Sequence, residues 1–132
     1  MMMRSLILTV TLGLGLGMAQ DQEYVGWMKA AGGSMGPLKK SLEAKSMKEA
    51  AEHARKIEAA FARMEQFWAG RGAADAVKLS QTARNAAKEA AGAAEAGHGD
   101  HALQSMQAIS STCKSCHDAH REKGADGSWR IK

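Results

Sequence analysis

Five consecutive residues near the C-terminus, Cys113-Lys114-Ser115-Cys116-His117, bring together two thiols and an imidazole. On a helix, residues at i, i+3 and i+4 lie on one face, so both sulfurs and the ring point the same way. This is the haem c attachment pattern. Two thiols can add to the two vinyl groups of a haem while the adjacent imidazole reaches the iron, so Cys113 and Cys116 supply a tether and His117 one axial ligand.

Three plainer readings compete for the same residues. A thioredoxin-like redox pair is normally set at the start of a helix in a fold with strands, where the dipole lowers a thiol pKa. Here the pair falls late in the last helical segment, with no strand expected upstream. A structural zinc site needs four ligands, commonly two such clusters, and the chain has only these two cysteines. A plain disulfide leaves the adjoining His unexplained. One covalently bound haem c is the expected cofactor.

Residues 1–19 read as a secretory signal peptide. Arg4 supplies a positive n-region, Leu6 to Leu16 an apolar h-region, and Gly17-Met18-Ala19 a small-x-small cleavage site. The plain alternative, a membrane anchor, is disfavoured because the apolar run falls short of the roughly 20 residues that cross a bilayer. Export, here to the periplasm, places the cysteines in an oxidising compartment. The formal charge of +4 drops to +3 once Arg4 leaves with the leader. That mild and well-mixed excess argues against nucleic acid or lipid binding.

The elements that must position the motif are helical. With 132 residues, one Pro, few aromatic or β-branched residues and abundant Ala, Lys, Glu and Met, the chain is the size of one all-α domain, at residues 20–132, with no strands expected. Four amphipathic segments follow the leader. The first carries Tyr24, Met28, Ala31, Met35, Leu38 and Leu42, with a kink or looser stretch expected where Gly32, Gly33, Gly36 and Pro37 interrupt it. The second opens on Ser46 and Glu49 as a capping box, and Ala50, Ala54, Ile57, Phe61, Met64 and Trp68 form its stripe before Gly70 and Gly72. The third, over residues 73–96, carries Leu79, Ala83, Ala86, Ala90 and Ala93. Asp100 caps the fourth, whose stripe is Leu103, Met106, Ser110, Cys113, His117 and His120 and whose end falls near Lys123. An irregular tail is expected from Gly124 to Lys132. Four such helices with short connections predict an antiparallel, up-down-up-down four-helix bundle with the haem near the C-terminal end of helix 4.

On these residues the chain resembles the cytochrome c prime family of class II c-type cytochromes, and more specifically its low-spin branch, in which Met supplies the second axial bond. The resemblance spans the leader, the four helices and the run Cys113-Lys-Ser-Cys-His-Asp-Ala-His-Arg121. It implies that Arg121, four residues after the axial His, sits beside the haem. The family usually has an aromatic residue, often Tyr, just before that Arg; His120 stands there in this chain. The resemblance also implies that two bundles can pair as a homodimer.

Bundle topology points to the sixth ligand. The end of helix 4 lies beside the start of helix 1, and His117 sits roughly 9 Å from the end of helix 4 at ~1.5 Å per residue. Met28 lies at nearly the same depth from the start of helix 1, whereas Met35 sits roughly 10 Å deeper. Met28 is therefore the expected thioether ligand, in agreement with the resemblance, although a Met on an apolar stripe more often fills a core. His101 is about 24 Å along the helix from His117, and His53 and His98 fall toward the far end. All three are expected to be solvated. Phe61, Met64, Phe67, Trp68 and Leu79 are the expected pocket walls, residues a bundle also needs as core.

A six-coordinate His/Met iron has no open site for substrate. The expectation is thus an electron-transfer protein and not an enzyme, since no nucleophile, paired carboxylate or second metal cluster stands out. Lys114, Arg121, Lys123, Arg130 and Lys132 would ring the haem edge with positive charge, suited to an acidic redox partner or merely to solvent. The alternative is a five-coordinate gas-binding protein for NO or CO, as in the family's high-spin branch, with Met28 only covering the distal face.

Overall fold

A computed structural model describes residues 13–132, with side chains from Gln20 onward. Residues 1–12 of the signal peptide expected over residues 1–19 lie outside the described residues, while residues 13–19, with the expected cleavage site, form the first turns of a helix. Four helices form a bundle: α1 (Gly13–Glu43), α2 (Met47–Gly70), α3 (Ala74–Glu95) and α4 (Gly99–His120). None of the described helices is long and apolar enough to cross a membrane.

Two short strands, β1 (Arg121–Lys123) and β2 (Trp129–Ile131), follow α4 and pair antiparallel, Arg121 with Ile131 and Lys123 with Trp129. They correct the expectation of no strands and of an irregular tail, and α4 stops at His120, short of Lys123. The cause is local turn chemistry. Asp126 accepts from the Ser128 amide at 3.1 Å and the Ser128 hydroxyl at 2.7 Å, and Gly127 takes a φ of +81°. Such an Asx turn closes a hairpin, and Trp129 and Ile131 suit the strand that follows.

Other local expectations also shift. α1 runs without a break through Pro37. Gly33, Gly36 and Pro37 face solvent, where water can serve the backbone groups that Pro37 leaves unpaired, while the Ser34 hydroxyl donates to the Ala30 carbonyl at 2.8 Å. Ser46 does occupy the N-cap of α2, but its side chain makes no capping bond, so the capping box does not form. Glu49 instead contributes charge in the first turn, favourable to the helix dipole. Asp100 does the same in α4, whose cap is His98. Gly72 and Gly97, with φ of +68° and +79°, permit the left-handed turns that end α2 and α3.

α2 buries the stripe that its spacing predicts, from Ala50 to Trp68. α3 presents Ala76, Ser80, Ala83, Ala87, Ala90 and Ala94, and α4 presents Ala102, Ser105, Ile109 and Thr112. These small residues let α3 lie close against both α2 and α4. α4 is thereby rotated about one position from its expected phase. Cys113, His117 and His120 are only half-buried and Ser110 is exposed. α1 packs along α2 but touches α4 over only a short stretch. The motif face of α4 is therefore turned toward the seam with α1.

Candidate functional site

Two clefts open along that seam. One, of about 420 Å³, is walled by Ala31, Gly32, Met35 and Phe61 opposite Ile109 and Cys113. The other, of about 330 Å³, is walled by Tyr24 and Val25 of α1, Cys116 and His120 of α4, and Trp129 and Ile131 of the hairpin. Met28, His117 and Arg121 line both. The three side chains thus stand where the two clefts meet, with one thiol of the motif on each side.

The polar atoms of this site lack partners. Three buried side-chain nitrogens make no hydrogen bond among the described residues: Arg84 Nε, His117 Nε2 and Arg121 Nε. Arg84 Nε still lies 3.2 Å from Glu65 Oε2 as an ion pair. The other two have no such compensation, and both belong to the shared wall of the clefts. A buried polar atom left without a partner costs about 1–3 kcal/mol.

Local electrostatics favour the neutral form of the His117 imidazole. Burial pushes the His117 pKa down from its ordinary value, and the Arg121 guanidinium pushes it the same way, against a smaller opposing effect of Asp118. The neutral ring keeps the lone pair that a metal needs. Burial pushes both thiols up, and Cys116 is raised further by Cys113 and Asp75. Both are free thiols. A thiol-exchange centre needs the opposite shift, so the environment disfavours the thioredoxin-like reading. No group of three or more His, Cys, Asp or Glu able to hold a bare metal ion occurs among the described residues.

Tyr24 lines the smaller cleft, with Trp68 behind it in the core. The Trp68 indole donates to the Tyr24 hydroxyl at 3.1 Å, with the rings edge-on at 5.4 Å, and Phe67 lies 4.6 Å from the Tyr24 ring. Burial pushes the Tyr24 phenol well above its usual range. At the end of α4, His120 lies 4.7 Å from the Trp68 ring, donates through Nε2 to Asp75 Oδ2 at 2.6 Å, and places Nδ1 3.2 Å from the Lys132 carbonyl.

The expected wall residues divide. Phe61 lines the larger cleft, whereas Met64 and Trp68 lie in the core, Phe67 is half-buried, and none of these three lines either cleft. Leu79 is half-buried, outside the buried face of α3, and also lines neither, because Ala76 and Ser80 take the inner positions. His98 and His101 are exposed and His53 is half-buried, all away from the clefts. Sequence reasoning passed over Tyr24, Trp129 and Ile131 as cleft residues. The Asp126-Gly127-Ser128 turn ahead of Trp129 was the signal for the last two. No family model, no curated protein and no solved structure matches the chain.

Proposed function

We propose that the protein is an exported, periplasmic monohaem c-type cytochrome that transfers electrons. In this reading Cys113 and Cys116 hold one haem c through thioether bonds, and His117 and Met28 supply the axial ligands. The observation that carries it is the convergence at the two clefts. The partnerless His117 Nε2, the partnerless Arg121 Nε, the Met28 thioether and both thiols all line them. These donors fit a haem c, since the thiols match its two vinyl groups and the nitrogen and thioether match its two axial positions.

The helix order supports the same picture. Trp68 near the end of α2 bonds Tyr24 in α1, Arg55 in α2 pairs with Glu95 at the end of α3, and Asp75 at the start of α3 bonds His120 at the end of α4. Neighbours that meet end to start run up-down-up-down. That topology would bring Met28 and His117 to one depth of the bundle.

When bound, the haem supplies a one-electron couple whose potential the axial ligands and burial set. The chain's own residues do the rest. α4 presents the imidazole in its neutral form, and α1 carries Met28 to the junction of the clefts. Phe61, Tyr24 and the hairpin keep water from the site, while Met64 and Trp68 support those walls from the core. Arg121 and the basic residues near the opening, Lys29, Lys123 and Arg130, suit an acidic redox partner.

The absorption spectrum of the purified protein, oxidised and reduced, tests the reading. Sharp α and β bands on reduction and a far-red sulfur-to-iron band in the oxidised form are expected for His/Met ligation. A high-spin spectrum that shifts under CO would replace electron transfer with gas binding. A preparation with no Soret absorption would reject the haem altogether.

A further inference from the structure

The hairpin after α4 carries a tryptophan whose position packing alone does not explain. Trp129 is 54% exposed, one of two exposed large hydrophobic side chains among the described residues, the other being Val25 at 43%. A large ring left that open contributes little by burial. It does meet two cations: the Arg121 guanidinium carbon lies 3.8 Å from the centre of the indole, and the Lys123 ammonium 5.6 Å. The strand pairing fixes this geometry, since Arg121 opposes Ile131 and Lys123 opposes Trp129. The Lys132 amide donates to the His120 carbonyl at 2.9 Å and the His120 ring faces the Lys132 carbonyl, so the far strand is pinned to the end of α4.

Arg121 is the residue this stack restrains. It is the first residue past α4, its side chain lines both clefts beside His117, and its Nε is buried without a partner. A guanidinium on a long, flexible stem at a helix end would normally turn to water. A ring stacked on the guanidinium at 3.8 Å opposes that turn, by about 0.5–1 kcal/mol at an exposed site and more when desolvated.

We infer that Trp129 is a positioning residue for the haem site: its indole holds the Arg121 guanidinium inward, where it meets an anionic oxygen of the haem and adds positive charge next to the iron. The inference rests on the proposed haem reading and adds to it that the last strand of the chain tunes the centre. A cation near the iron opposes the extra positive charge of the oxidised state, so it raises the reduction potential. Releasing Arg121 to solvent lowers it.

The test uses the full holoprotein and a double-mutant cycle on the reduction potential. W129L keeps an apolar side chain but removes the ring face, W129F retains a weaker face, and R121Q removes the cation. W129L and R121Q are expected to lower the potential, W129F to restore most of the W129L loss, and the W129L/R121Q double variant to match R121Q alone. Trypsin digestion provides a readout independent of the iron: cleavage after Arg121 should accelerate in W129L and not in W129F. An unchanged potential in W129L with a lowered one in R121Q, or two effects that simply add, overturns the inference. Absence of covalent haem in the unaltered chain would instead count against the proposed function, so the two failures are distinct.

Discussion

Replacing Tyr24 with Phe removes one oxygen from the base of the site and nothing else. The Tyr24 hydroxyl accepts from the Trp68 indole at 3.1 Å, and Trp68 is 2% exposed. An indole N–H can only donate, and water does not reach this one to take the hydroxyl's place. The variant keeps the ring contacts with Phe67 and Trp68 and gives up the hydroxyl's contact with the Cys116 sulfur, so the loss is chiefly that of a buried donor stranded without an acceptor, about 1–3 kcal/mol. At about 4 °C per kcal/mol for a domain of this size, the melting temperature should fall by about 4–12 °C. Denaturant unfolding of the holoprotein followed by circular dichroism measures the change, which should lower the midpoint and leave the m-value alone. Trp68→Phe removes the donor and loses ring area besides. In that background Tyr24→Phe should cost almost nothing further, because no stranded N–H remains. A loss below about 0.5 kcal/mol in the single variant, or equal losses in both backgrounds, would refute the claim that this bond ties α1 to α2.

Met28→Ala should convert the low-spin spectrum into that of a high-spin or CO-binding iron, whereas Met35→Ala, which lines only the larger cleft, should change stability more than spectrum; the reverse would identify Met35 as the ligand. Replacing Cys113 and Cys116 together should leave haem that acid-acetone extracts completely, and haem retained with the protein would refute the tether. Gly32 faces the larger cleft, and a Cβ built there meets no protein atom within 4 Å. Gly32→Leu should therefore leave the fold intact, with a gain of up to about 1 kcal/mol from helix propensity, while reducing haem incorporation; unimpaired loading would show that the haem does not occupy this cleft. The His120 ring, by hydrogen bonding, holds the Asp75 carboxyl below its ordinary pKa. Such a group contributes stability above the usual carboxylate range near pH 4 that is lost as pH falls through its lowered folded value, so the difference in melting temperature between Asp75→Asn and the unaltered chain should be present at pH 7 and vanish in strong acid.

The division between what the sequence makes legible and what it hides follows from range. Ala50 to Trp68 is buried as its spacing predicts because α2 packs between α1 and α3 and its whole apolar stripe is used. The motif residues are legible for a different reason, since Cys113, Cys116 and His117 share a face by helix geometry alone, whatever α4 packs against. The phase of α4 is not legible. Ala102, Ser105 and Thr112 look neutral in sequence, yet they take inner positions beside Ile109 because α3 is lined with Ala and the two helices approach closely. The same competition keeps Leu79 off the inner face. The capping box at Ser46 and the cap at Asp100 fail as predictions because the residue types favour a cap without securing its bonds, although Ser46 does hold the N-cap position.

The misjudged phase of α4 carries its own argument about function. A helix face with two cysteines and a histidine at one-turn spacing could have been buried against α3, and a structural role would call for that. Instead, small residues take the packing, and the motif is turned to the one seam of the bundle that its helices close over only a short stretch. Along that seam stand Met28 from α1, Gly32 with open space beside it, and a hairpin whose arginine reaches inward. A bundle selected only for stability would fill such a seam with Leu and Ile. Small residues, a thioether and partnerless nitrogens along that seam are the features that the proposed haem would use.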